Sequence, residues 1–132
     1  MIEQVPVPPE GRPTLIAIRY QLIFDDLLGL FEKHGFDVEV WEAGEVSFTR
    51  FEQRCTELPP WGVVAINYSP ELALLTSLFG IPYISWTIDP LPAHRVRVRE
   101  GTKPELSLAF VHRADTKRRL EELGLTDVRS LP

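Results

Sequence analysis

Cysteine is almost missing from this chain of 132 residues: Cys55 stands alone. A single cysteine excludes an intrachain disulfide and any metal site built from several thiolates. Its helical spacing with Phe48, Phe51 and Leu58 marks it as a small core residue rather than a reactive thiol. No stretch approaches the roughly eighteen consecutive apolar residues of a membrane span. The opening Met1-Ile2-Glu3-Gln4-Val5-Pro6 lacks the basic and apolar regions of a signal peptide, so a cytoplasmic protein is expected. Positive charge is in deficit too. The net charge of −5 argues against a nucleic-acid binder, whose domain would normally be basic. His34, His94 and His112 lie far apart, without i, i+4 or C-x-x-C company, which speaks against a zinc site. There is no glycine-rich phosphate loop: the first apolar run leads into Arg19-Tyr20-Gln21, so a self-sufficient NAD or ATP site is not expected. A nucleophile elbow is absent as well.

What the chain does have is the balance of an ordinary globular protein, 44% hydrophobic and 25% charged. Its length suits one domain, able to bury about two-thirds of its unfolded surface. The stretch from Val63 to Leu91 organises the rest. Val63-Val64-Ala65-Ile66 is a short apolar run, followed by Asn67-Tyr68 and then Ser69-Pro70. Ser is a favourable N-cap, and Pro suits the first helical turn, where its missing N–H has no partner to lose. Leu72, Leu74, Leu75, Leu78 and Phe79 recur at helical spacing until Gly80-Ile81-Pro82 stops the helix. A second apolar run, Tyr83 to Trp86, leads to Asp89. Two strands joined by one helix lie parallel in one sheet with a right-handed crossover.

Similar punctuation divides the remainder. Residues 1–12 form a proline-rich lead-in, and Thr14 to Ile18 reads as a strand buried on both faces. Ile23, Leu27, Leu30 and Phe31 make a helical stripe stopped by Gly35, and Asp37 to Trp41 alternates like a half-buried strand. A helix over Phe48 to Leu58 has two candidate caps, Ser47 and Thr49, the latter with Glu52 for a capping box. Pro59-Pro60 closes it. Pro90 and Pro92 break the pattern after Asp89, and residues 93–104 read as an irregular basic connection. Leu106 to Val111 is a further strand, and Asp115 or Thr116 caps a helix in which Leu120 and Leu123 face inward. Gly124 stops that helix, and Val128 to Leu131 makes a last short strand. This alternation predicts a Rossmann-like, doubly wound α/β domain, a mainly parallel sheet of five to six strands with helices on both faces.

Such sheets bind ligands beyond the carboxyl ends of their strands. The residues to watch are therefore Asn67, Tyr68 and Ser69 after one strand and Trp86 to Pro90 after the next. Asp89 is either a turn residue ahead of Pro90 or, with Trp86, part of a ligand platform. His112 follows a strand end, within reach of the same cleft. Residues 1–66 carry 5 basic and 11 acidic side chains, and residues 67–132 carry 9 and 8. Arg95, Arg97, Arg99 and Lys103 are thus a positive segment in an acidic protein, either solvated and paired with carboxylates or an anion contact. His34 lies where it can meet the last carbonyls of its helix, and Asp25-Asp26 where they favour a helix N-terminus.

The paired acids Asp25-Asp26, followed by FEKHGFDVEVWEAGE, resemble the opening of a response-regulator receiver domain. A receiver needs an aspartate after its third strand, and this chain has Asn67, an amide that cannot form an acyl phosphate. A fuller resemblance is carried by INYSPELALLTSLFGIPYISWTIDPL, from Ile66 to Leu91, which is similar to the N-terminal domain of CgeB-like (spore maturation type) bacterial glycosyltransferases. That domain has a polar strand end with Ser-Pro, a helix, and then Gly-Ile-Pro-Tyr-x-x-Trp-x-x-Asp-x-Pro. The segment AFVHRADTKRRLEELGLTDVRSLP resembles the family's next strand, helix and strand. One difference is Asp89-Pro90, where a small residue often separates the two.

The resemblance implies a GT-B architecture, two Rossmann-like domains facing each other across a cleft. The C-terminal domain then holds most of the nucleotide-sugar donor, and this chain shapes the side of the acceptor, a protein or glycan, without being active alone. Enzymes of this type typically need no bound metal, and no cofactor beyond the donor substrate is implied. Asp89 is the implied catalytic acceptor contact, with Trp86 and Tyr68 as stacking or wall residues and Arg95 and Arg97 facing anionic groups across the cleft. Two alternatives remain: a non-catalytic receiver-like or flavodoxin-like regulatory module, and a ligand-binding domain without chemistry.

Overall fold

The computed structural model describes residues 12–20, 24–88 and 97–131. Their ten regular elements, in chain order, are β1 (Thr14–Ile18), α1 (Phe24–Lys33), β2 (Asp37–Trp41), α2 (Phe48–Glu57) and β3 (Gly62–Ile66), then α3 (Pro70–Leu78), β4 (Tyr83–Thr87), β5 (Ser107–Val111), α4 (Ala114–Glu122) and β6 (Val128–Ser130). All six strands run parallel in one sheet of order β2-β1-β3-β4-β5-β6. This is the doubly wound α/β fold that the alternation of runs predicts.

The strand order follows from one reversal. The chain steps outward from β1 to β2, passes back over β1 to β3, and then moves one way to β6. With right-handed crossovers, the reversal sends α1 to one face and the later helices to the other. Two cores record this. One packs Phe51 of α2, Leu72 and Ala73 of α3 and Leu120 of α4 against Ile16, Val63, Ala65, Tyr83, Ala109 and Val111. The other packs Leu27 and Phe31 of α1 against Leu15, Val64, Ile66, Ile84 and Phe110. Alternation along each strand assigns neighbours to opposite faces. The central strand β3 is buried throughout, as a helix-covered parallel strand should be, whereas the edge strand β2 is mostly half-buried.

Local chemistry sets most boundaries as anticipated. The Ser69 hydroxyl accepts the Leu72 N–H at 3.2 Å and Pro70 opens α3. Ser47, not Thr49, caps α2 by accepting the Arg50 N–H at 3.1 Å. The His34 ring lies 2.9 Å from the Leu30 carbonyl at the end of α1, and Asp25 and Asp26 occupy its first turn. Gly124, at φ +102°, ends α4 in a left-handed turn that a side chain would strain.

Other expectations are corrected. Neither Asp115 nor Thr116 caps α4: the helix starts earlier, at Ala114, and Thr116 is buried inside it. Phe48, Leu58 and Leu78 share the apolar spacing but are 52%, 65% and 57% exposed. All three sit at helix ends, where the stripe runs past the sheet it covers. An unforeseen 3-10 turn, Ala43–Glu45, fills the link between β2 and α2 through a reciprocal capping box of Glu42 and Glu45. Asp89, Arg95 and Ile23 fall outside the described residues. No helix among the described residues is long and apolar enough to cross a membrane.

Candidate functional site

The reversal of strand order places β1 beside β3 while their following helices leave to opposite faces. A crevice opens beyond their carboxyl ends, which is where open α/β sheets bind ligands. A cavity of about 520 Å3 lies there, roofed by the β2–α2 link and the first turns of α3. Ile18, Ala65, Leu72 and Leu75 form its apolar wall, with the exposed Phe48 ring beside them. Arg19, Tyr20, Ser47, Asn67, Ser69 and Glu71 supply its polar groups.

Asn67 ties the rim together. Its φ of 66° lies in the left-handed region, which asparagine tolerates better than most residues. Its N–H bonds the Trp86 carbonyl at 2.8 Å, continuing the ladder between β3 and β4. Its side-chain oxygen accepts the Ile88 N–H at 2.9 Å, and its amide nitrogen donates to the Tyr20 hydroxyl at 3.4 Å. One side chain therefore clasps the ends of β1, β3 and β4. An aspartate would keep the acceptor for Ile88 but could meet Tyr20 only by accepting from its hydroxyl.

Glu71 and Arg19 carry the charge. Glu71 pairs with Arg99 at 2.8 Å, and the Arg99 hydrogen bond holds its carboxyl below the usual range. Arg19 pairs with Glu42 at 2.6 Å. Both pairs are more than half exposed, so each contributes at most about 1 kcal/mol to stability. On the far side of Glu71, a smaller hollow of about 320 Å3 is lined by Pro70, Glu71, Arg97, Val98, Arg99 and Glu100. The basic segment is thus partly neutralised at Arg99, while Arg97 is exposed.

The expected site residues that are described divide among four places, with Arg97 in the smaller hollow beside Glu71. Asn67 and Ser69 line the cavity. Tyr68 is buried in the core on the α2, α3 and α4 side, its ring 5.8 Å from Tyr83. Trp86 faces the α1 side with Ile84, because it is an odd number of residues from Tyr83 in the same strand. There its indole Nε1–H donates to His112 Nε2 at 2.9 Å. Asn67 and Trp86 thus stand at the tips of neighbouring parallel strands, but the Asn67 side chain lines the β1–β3 cavity while the Trp86 ring packs on the α1 side, and Asp89 lies outside the described residues. Arg19, Tyr20, Ser47, Phe48 and Glu71 join the cavity without having been singled out. The rule that ligands gather at strand ends would have found Arg19 and Tyr20; the strand order was needed for the others.

The two tyrosines give a paired test. Tyr83 is fully buried; its hydroxyl accepts the Ser69 N–H at 3.0 Å, and burial raises its pKa. The Tyr68 hydroxyl is buried without a hydrogen-bond partner among the described residues, and burial, reinforced by the negative charge of Glu71, pushes its pKa up to about 12. Tyr83→Phe should destabilise by about 1–2 kcal/mol because it strands the Ser69 N–H, whereas Tyr68→Phe should be neutral or stabilise by up to about 1 kcal/mol. Urea denaturation of the two variants checks this, and the reverse order would contradict the assignment of partners.

No group of three or more His, Cys, Asp or Glu side chains among the described residues is placed to hold a metal ion. The site thus offers hydrogen-bond donors and acceptors around an apolar wall, suited to a small polar ligand or to the end of a larger one. No protein-family model matches this chain, and no curated protein matches it either.

Proposed function

We propose that this chain is the N-terminal, acceptor-side domain of a glycosyltransferase that moves a sugar from a nucleotide-sugar donor to a protein or glycan. The observation that carries the reading is the cavity between β1 and β3, which has hydrogen-bonding side chains but no glycine-rich phosphate cradle. Such a site suits hydroxyl-bearing acceptors, and it leaves the donor diphosphate to a second, C-terminal domain. The likeness of Ile66 to Leu91 to the CgeB-like domain points the same way.

In this reading Asn67, Ser69 and Glu71 hydrogen-bond acceptor hydroxyls, with Phe48 as an apolar wall. Glu71 is a poor general base, because Arg99 holds it ionised at low proton affinity, far from the near-neutral pKa that suits proton abstraction. Asp89 takes the acceptor proton, and Arg97 meets anionic groups across the cleft. No cofactor enters; the nucleotide sugar is a substrate.

A second reading, a non-catalytic module of flavodoxin-like or receiver-like type, is favoured by the order β2-β1-β3-β4-β5, which those folds share. The deciding experiment joins this chain to the C-terminal domain of its own protein and supplies a panel of nucleotide sugars. Donor hydrolysis or transfer is the expected result. A folded protein that turns over none of them, with any acceptor tried, leaves the non-catalytic reading in possession.

A further inference from the structure

The Trp86–His112 pair lies apart from the cavity, and its chemistry is narrower than that of either side chain alone. An indole nitrogen only donates, so His112 Nε2, 2.9 Å from Trp86 Nε1, is the acceptor. A neutral imidazole has one acceptor nitrogen and one N–H. The proton of His112 therefore sits on Nδ1. The sheet fixes this geometry: Trp86 pairs with Phe110 and Thr87 with Val111, so His112 emerges just beyond β5 beside the indole. The two rings lie 5.5 Å apart at 44°. Trp86 is itself held by packing against the α1-side core. His112 is exposed, and its Nδ1 has no partner among the described residues. The neighbouring Arg113 is occupied by both carboxylate oxygens of Asp115.

We infer that the tips of β4 and β5 carry a second contact point, separate from the β1–β3 cavity, where His112 Nδ1–H donates to a ligand oxygen. The ligand class is a hydrogen-bond acceptor: a phosphate, carboxylate or carbonyl oxygen. Trp86 is the positioning residue that selects the tautomer. While the indole holds the Nε2 lone pair, His112 has no free basic nitrogen, so it serves as a donor and not as a general base. This goes beyond the glycosyltransferase reading and stands whether or not that reading does.

The test is long-range 1H–15N NMR of the chain labelled with 15N-histidine, at about pH 8, where imidazole is neutral. In wild type, His112 should show the Nδ1–H tautomer. In Trp86→Phe, which keeps a ring and loses the donor, the population should move towards Nε2–H. An Nε2–H tautomer in wild type overturns the inference without recourse to any variant, as does an unchanged population in a folded Trp86→Phe. Inorganic phosphate at constant pH and ionic strength is the ligand probe. A saturable shift of the His112 Nδ1 signal in wild type, smaller in Trp86→Phe, is expected; no saturable shift overturns the contact point.

Discussion

Asn67→Ala should lower stability by about 3 kcal/mol, one of the largest losses expected from a single change outside the central core. Two separate terms add. Removing the amide leaves the part-buried Ile88 N–H without its acceptor, at about 1–3 kcal/mol. Alanine at φ 66° then adds roughly 1 kcal/mol of backbone strain that asparagine bears more easily. Asn67→Gly separates them, since glycine loses the hydrogen bonds but adopts the left-handed backbone freely. The expected order of stability is wild type, then glycine, then alanine, read as thermal midpoints. Equal stability of alanine and wild type would mean that the clasp of three strand ends contributes nothing. The amide that replaces a phospho-acceptor in the receiver comparison thus has a structural task of its own.

If the proposed glycosyltransferase reading holds, Asp89→Ala should reduce kcat of the two-domain protein about 100-fold, the lower range for loss of a general base. Glu71→Gln, by contrast, should raise the acceptor KM several-fold and leave kcat nearly intact. The distinction rests on charge. Glu71 lies in the cavity with its proton affinity lowered by Arg99, which in the proposed function suits it to binding acceptor hydroxyls and not to abstracting their protons. Gln preserves its shape and removes the ion pair. Steady-state transfer kinetics, with circular dichroism to establish folding, read both variants. A folded Asp89→Ala with full activity ends the catalytic role proposed for Asp89, and a kcat collapse in Glu71→Gln exchanges the two proposed assignments.

The sheet was legible because its signals are local. Apolar runs of strand length, Ser69-Pro70 and the stop at Gly80 specify a strand–helix–strand unit from residues near in sequence, and a parallel pair follows from the length of the connection. Face assignment was legible as well, though only by parity: counting from Tyr83 to Trp86 places the indole opposite the tyrosine. Exposure at helix ends was not. Phe48 and Leu78 fit their stripes, and only the extent of the sheet beneath shows that they overhang it.

Residue patterns local in the chain specify that strands and helices alternate, where most of them begin and end, and that the first strand runs into Arg19-Tyr20-Gln21 and not into a glycine-rich phosphate loop. Only the folded sheet settles the full strand order, which sets β3 beside β1. That choice placed the cavity between β1 and β3, brought Arg19, Phe48 and Glu71 to it, and sent Trp86 with His112 to the opposite face. The reason is physical: caps and periodicity act over a few residues, whereas strand order is set by packing whole helices on two faces of a sheet, an energy shared by residues far apart in the chain.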